Sequence, residues 1–224
     1  MVIKPKSTNF GLGITILKHN YDETDFKAAL QIAFEHDNTV LIEKFIPGRE
    51  FRIFIINDEV VGILHRVPAN VTGDGVLNIG QLIDRKNEDP LRGKGYRTPL
   101  EKIRKGREEE MFLKQQGMDF NTVPKEGEVV YLRENSNIST GGDSIDFTDD
   151  IDDSYKAIAV EAAKALNVKI TGLDMMIQDI HAPATPDNYA IIEMNFNPAI
   201  HIHCYPFKGK NRHLNHKMIR ALGF

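Results

Sequence analysis

Two apolar segments near the C-terminal end, each interrupted by acids or amides, constrain this chain most. They are Gly172-Leu173-Asp174-Met175-Met176-Ile177 and Ile191-Ile192-Glu193-Met194-Asn195-Phe196-Asn197-Pro198. Both read as β-strands. A strand sends alternate side chains to one face, so Glu193, Asn195 and Asn197 point the same way. If the Asp174 strand pairs beside them, Asp174 joins that face. Two carboxylates and a carboxamide make an all-oxygen donor set for Mg²⁺ (or Mn²⁺), a cation that keeps several waters and takes further ligands from phosphates. The competing explanation is an ordinary solvated sheet face. It accounts for Asn197 and Asp179, but poorly for acids flanked on both sides by Ile, Leu and Met.

The rest of the chain supplies the architecture around such a sheet. Val2 to Lys18 reads as strand, glycine-containing turn, strand. Asp22 or Thr24 can cap a helix through Phe26, Ala29, Leu30, Ala33 and Phe34. Val40 to Ile46 is a short strand, and Pro47-Gly48 is a turn signal. Glu50 to Ile56 and Val60 to Val67 flank Asn57-Asp58 as a hairpin. A short helix starts near Gln81, and a basic helix is expected over Pro99 to Gln116. Glu128 to Glu134 reads as a strand, followed by a polar loop from Asn135 to Gly142. Asp153 to Leu166 is amphipathic, with Tyr155, Ile158, Ala159, Ala162, Ala163 and Leu166 on one face. Strands dominate the middle with helices interspersed, so the class is α+β with a mainly antiparallel sheet.

At 224 residues, with 41% hydrophobic and 27% charged residues, the chain can bury a real core. A net charge of -4 gives no global reason to bind nucleic acid or an anionic membrane. No apolar run is long enough to span a bilayer. The single cysteine, Cys204, excludes an internal disulfide and fits a reducing compartment, so a cytoplasmic location is expected. Val2-Ile3-Lys4 looks like strand interior from the first residues, and we expect a larger architecture upstream.

Two further elements suit a nucleotide. Lys4 lies on a strand leading into a loop with Gly11 and Gly13; glycines admit phosphate oxygens to backbone N–H groups, and a lysine adds a point charge. The Gly-Lys-Ser/Thr ending of a P-loop is absent, and an ordinary hairpin remains open. The second is Glu43-Lys44-Phe45-Ile46-Pro47-Gly48-Arg49-Glu50. A strand edge there offers backbone groups to an adenine, and a nearby carboxylate can accept bonds from ribose hydroxyls.

Taken in order, Val2-Ile3-Lys4-Pro5, the glycine loop, Glu43 to Ile46, Glu50, Asp174 and Glu193-Met194-Asn195 resemble the ATP-grasp ligases. The resemblance implies two α+β lobes with mainly antiparallel sheets clasping ATP, here truncated at the N-terminus. Residues 1–48 would be part of the small lobe and 49–224 the large lobe. ATP would be held by Lys4, Lys6, Gly11, Gly13, Glu43, Lys44, Phe45, Ile46 and Glu50. Asp174, Glu193 and Asn195 would hold the metal.

His65-Arg66-Val67-Pro68-Ala69-Asn70-Val71-Thr72-Gly73-Asp74-Gly75 and Leu132-Arg133-Glu134-Asn135-Ser136-Asn137-Ile138-Ser139-Thr140-Gly141-Gly142 narrow the likeness. Such stretches occur in cyanophycin synthetases and in the ATP-grasp half of bifunctional glutamate–cysteine ligase/glutathione synthetases. Asn195 to Pro206 is similar to the glutathione enzymes; cyanophycin synthetases usually carry Pro-Gly where this chain has Pro198-Ala199.

The resemblance implies a carboxylate–amine ligase acting through an acyl phosphate, with a dipeptide substrate. It also implies fusion to an upstream ligase domain; a homodimer stays open. The isolated chain would then be slow, inactive or a non-catalytic nucleotide-binding fragment. Arg66 and Arg133 are the candidates for the transferring phosphate, because a guanidinium fork matches such oxygens. Asn135, Asn137, Ser139 and Thr140 are candidate substrate contacts, although Asn and Ser also favour turns. His201 and His203, at strand spacing beside Cys204, hint at zinc but lack a full ligand set.

Overall fold

The computed structural model describes every residue except 9–11, 18–20, 96 and 224. It contains two compact units, Met1–Pro47 and Gly48–Phe224. In the first, strands β1 (Val2–Pro5), β2 (Thr15–Ile16) and β3 (Val40–Glu43) form an antiparallel sheet in the order β2-β1-β3. Helix α1 (Glu23–Phe34) packs on it, burying Ala29 and Ala33 with Ile3. Asp22 caps this helix, accepting from the Thr24 and Asp25 amides at 2.8 and 3.0 Å. The cap satisfies donors that have no partner within the helix, which is why the helix starts there.

The second unit is built on a five-stranded antiparallel sheet, in the order β10-β5-β4-β11-β12. Its strands are β4 (Arg49–Ile56), β5 (Glu59–Val67), β10 (Asp143–Asp146), β11 (Ile170–Ile177) and β12 (Tyr189–Asn195). Asn57 and Asp58 both take positive φ, 47° and 66°, closing the tight β4–β5 turn with the twist such hairpins need. One sheet face is apolar. Phe51, Ile53, Ile63, Leu173, Met175 and Ile177 pack against Tyr155, Ala159 and Ala163 of α4 (Asp153–Ala165). The i, i+4, i+8 spacing of those three helix residues is what a covering helix presents. The opposite face is mixed: Phe54, Ile56 and Val61 pack with Cys204 and Leu214, and the rest carries the polar side chains treated below.

The remaining elements form smaller clusters. Strand β6 (Asn70–Thr72) pairs with β9 (Val129–Tyr131), and helix α2 (Ile79–Lys86) packs beside them. Short strands β7 (Arg92–Gly93) and β8 (Leu100–Glu101) pair in parallel. Helix α3 (Arg107–Gln115) is shorter than the charge pattern suggests. The expected start at Pro99 is overridden because Leu100–Glu101 pairs as strand and Asn87 clasps the Ile103 backbone through both its amide groups, at 2.8 Å each.

Helix α5 (His201–Cys204) and α6 (Leu214–Ala221) close the chain. His201 and His203 therefore sit on one helical turn, not a strand. Residues two apart on a helix diverge, so the pair does not converge on a zinc ion.

Candidate functional site

The polar face is built by register. On β4, Glu50 and Arg52 alternate with the core residues Phe51 and Ile53. Asp174 of β11 lies directly across from Arg52 on one side and Glu193 on the other. Asn195 opposes Gly172, two pairs further along β12. Asp174, Glu193 and Asn195 thus share a face, with Asn195 Nδ2 donating to Glu193 Oε1 at 3.0 Å. Asn197 lies beyond the end of β12. Asp174 is buried, whereas Glu193 is exposed.

Asp174 is held by two arginines. Arg52 Nε donates to Oδ1 and its Nη2 to Oδ2 at 2.8 Å; Arg66 Nη2 reaches Oδ2 at 3.0 Å. Arg66 also pairs with Glu50, whose Oε2 accepts from Ser136 Oγ at 2.8 Å. Burial is the largest influence on Asp174 and pushes its carboxyl up. The Arg52 fork, the Arg66 charge and contact with Glu193 outweigh it and hold the group below the ordinary range. Three carboxylates, Glu50, Asp174 and Glu193, face two guanidiniums. A cation beside Asp174 and Glu193 would relieve the repulsion of two carboxylates set side by side.

The donor set therefore fits a hard divalent ion: two carboxylates and a carboxamide on adjacent strands. Among the described residues no group of three or more His, Cys, Asp or Glu side chains is arranged to hold a metal. The set here has two such residues plus an amide.

Other expected residues fall elsewhere. Lys4 is on β1 and pairs with Glu43 at 2.8 Å, both in the first unit. Lys6 is exposed, with its amide on the Thr39 carbonyl. Gly13 takes a φ of 75° and packs against Pro5 and His36; Gly11 lies outside the described residues. Lys44, Phe45 and Ile46 run without regular structure after β3. Arg133 does not contact the Asp174 cluster: its guanidinium is taken by Glu108 and Glu109 of α3.

The polar loop is tied internally. Asn135 Oδ1 accepts from Thr140 Oγ1 at 2.9 Å, and residues 138–140, including Ser139, form a single 3₁₀ turn after Asn137. Arg52 was the residue that motif reading missed. Its signal is a lone charge at an inward position of a strand otherwise apolar from Phe51 to Ile56.

A sheet of this topology, carrying paired acids on its last two strands, defines the ATP-grasp fold, and the chain has that α+β architecture. A family model described as D-ala D-ala ligase C-terminus matches residues 1–78. Along its whole length the chain is homologous to a stretch of the glutathione biosynthesis bifunctional proteins. It is 64% identical over 224 residues to GshAB of Desulfotalea psychrophila, covering 100% of this chain and 29% of that protein. With GshAB of Clostridium perfringens the identity is 59%, covering 99% and 28%. The crystal structure of a bifunctional glutathione synthetase from Pasteurella multocida matches with a TM-score of 0.77 at 48% identity, over 99% of this chain and 31% of that one. The chain thus spans less than a third of the relatives it matches.

Proposed function

We propose that this chain is the ATP-dependent ligase module of a glutathione-forming enzyme. It would join γ-glutamylcysteine to glycine through an acyl phosphate, releasing ADP and phosphate. The observation that carries the reading is the register of Asp174 against Glu193, with Arg52 and Arg66 on the same face. The names of the relatives supply the substrate class.

Asp174, Glu193 and Asn195 would hold Mg²⁺ or Mn²⁺. The bound ion supplies charge neutralisation between phosphate oxygens. Arg66, shared between Glu50 and Asp174 in this structure, would turn a free donor edge to the transferring phosphoryl group. Glu50 would accept from the ribose hydroxyls, exchanging Ser136 for the nucleotide. Lys4, Lys6, Gly11 and Gly13 would contact phosphates, and Glu43 to Ile46 the adenine. Arg133 and the Asn135, Asn137, Ser139, Thr140 loop would orient the dipeptide. Positioning and charge are most of what this chemistry asks of a protein. The location would be cytoplasmic, and the working protein would include an upstream ligase domain. Among the described residues no helix is long and apolar enough to cross a membrane.

The test is ADP release by this chain and by a longer protein containing it, given γ-glutamylcysteine plus glycine or aspartate plus arginine on a cyanophycin primer. Release with the first pair alone, lost in Glu193→Gln, supports the reading. Release with the second pair alone moves the substrate to cyanophycin.

A further inference from the structure

Arg52 belongs neither to the expected metal set nor to the expected phosphate arginines. It is 7% exposed and lies opposite Asp174 at the centre of the sheet. Its stem fills space that Gly172 leaves open: a Cβ at Gly172 would stand 3.0 Å from Arg52 Cδ and 2.8 Å from the Pro198 Cβ. The fork occupies one acceptor direction on Asp174 Oδ1 and one on Oδ2, while Arg66 takes a second on Oδ2. A carboxylate has about four such directions, so the one that no arginine takes is on Oδ1, in a carboxylate that also contacts Glu193.

We propose that Arg52 is a positioning residue: it fixes the plane of Asp174 so that Oδ1 offers its remaining lone pair to the divalent cation beside Glu193. This inference rests on the metal reading given above. Arg66 cannot replace it, because a single nitrogen shared between Glu50 and Asp174 leaves the carboxylate free to rotate. Two effects of Arg52 oppose each other, which makes the role testable. As a nearby positive charge, Arg52 repels a cation, so its removal alone would tighten metal binding. As an orienting partner it supports binding, and loss of such a partner commonly costs about 10–100-fold in metal affinity.

The experiment measures Mn²⁺ affinity of the full chain by electron paramagnetic resonance, with and without ATP, for wild type, Arg52→Met, Arg52→Lys and Asp174→Asn. Thermal unfolding is recorded beside each. The expected result is about 10–100-fold weaker Mn²⁺ binding in both Arg52 variants, with Asp174→Asn weaker as well. Arg52→Lys decides the matter if Arg52→Met does not fold, since an ammonium keeps the charge but cannot span both oxygens. Equal or tighter binding in the folded Arg52 variants, with Asp174→Asn still weakened, overturns the positioning role alone. Wild-type affinity in Asp174→Asn, or no Mn²⁺ binding by wild type, overturns the metal reading and this role together.

Discussion

Replacing Asp143 by leucine should cost the second unit a large part of its stability. Asp143 is 4% exposed and accepts from three donors: Asn70 Nδ2 at 2.9 Å, Lys86 Nζ at 2.7 Å and Arg92 Nη2. Without it, two cations stay behind, one of them with a side chain 0% exposed. Removing one partner of a buried pair costs about 3–5 kcal/mol, because the remaining charge is neither solvated nor paired. A domain of this size has about 5–15 kcal/mol in all, and each kcal/mol moves its midpoint by about 2–4 °C.

We therefore expect a fall of about 6–20 °C, read by circular dichroism, and a matching shift of the urea midpoint at unchanged m. Asp143→Asn should lose less, since an acceptor remains. Asp143→Leu with Lys86→Met should recover part of the loss by removing one stranded charge. The exposed Lys105–Asp84 pair, with side chains 42% and 61% accessible, is the control and should matter by less than about 1 kcal/mol. A loss under about 1 kcal/mol for Asp143→Leu would refute the reasoning, because it would place the buried network in the energetic class of the surface pair. Arg92 also holds the Gly141 carbonyl at 3.0 Å, so the variant should speed amide exchange at the end of the polar loop.

Three further outcomes can be checked. Gly48 takes a φ of 135°, and a Cβ there would stand 2.6 Å from the Ile177 backbone oxygen, so Gly48→Ala should destabilise by at least about 1–3 kcal/mol in urea titration; a neutral result would contradict this geometry. Burial, then the Arg49 charge, lowers His65 from 6.5 to about 4, and burial lowers His203 to about 3. The unfolded chain then binds the extra protons, so this stability is full above pH 6.5 and is lost as pH falls towards about 4; a His65→Gln, His203→Met variant should flatten the pH profile of the urea midpoint. Ser136→Ala frees one Glu50 oxygen, and isothermal titration should show ATP binding at least as tightly as in wild type; a large loss of affinity would mean that Ser136 does not compete with the nucleotide.

Much of the architecture is legible because local chemistry and tertiary packing agree. Asp22 has both the side chain and the position to cap α1, and Asn57-Asp58 suits the positive-φ turn. The alternation holds through Asp174 on β11 and from Glu193 to Asn195 on β12, broken only at the unpaired Ile192, since one face must be apolar to meet α4. What escaped has identifiable causes. Strand β10 reads Asp-Ser-Ile-Asp and is buried through ion pairs rather than apolar alternation. Ile200-His201-Ile202-His203 fits either period, and packing of the His203 ring over Gly62 goes with the helical one. Arg52 finds its partner 122 residues away, a distance no local pattern spans. Helix α3 was overextended because charge runs carry no information about where backbone pairing begins.

The register shift between Asp174 and Met175 has a consequence for how β12 tolerates change. Tyr189 opposes Ile177 and Ala190 opposes Met176, yet Glu193 opposes Asp174 because Ile192 has no partner. The strand is thus written in two reading frames joined at one residue. The first frame directs Tyr189 towards the core beside Tyr155, and the second directs Glu193 and Asn195 to the polar face. A one-residue insertion or deletion elsewhere in β12, outside the Ile191-Ile192 pair, would garble one message or the other, turning Glu193 inward or Tyr189 outward. Deleting Ile192 itself merges the frames and leaves both legible. Among single-residue length changes in β12, that deletion is the one an evolving or engineered lineage can cross without losing either the core or the acids.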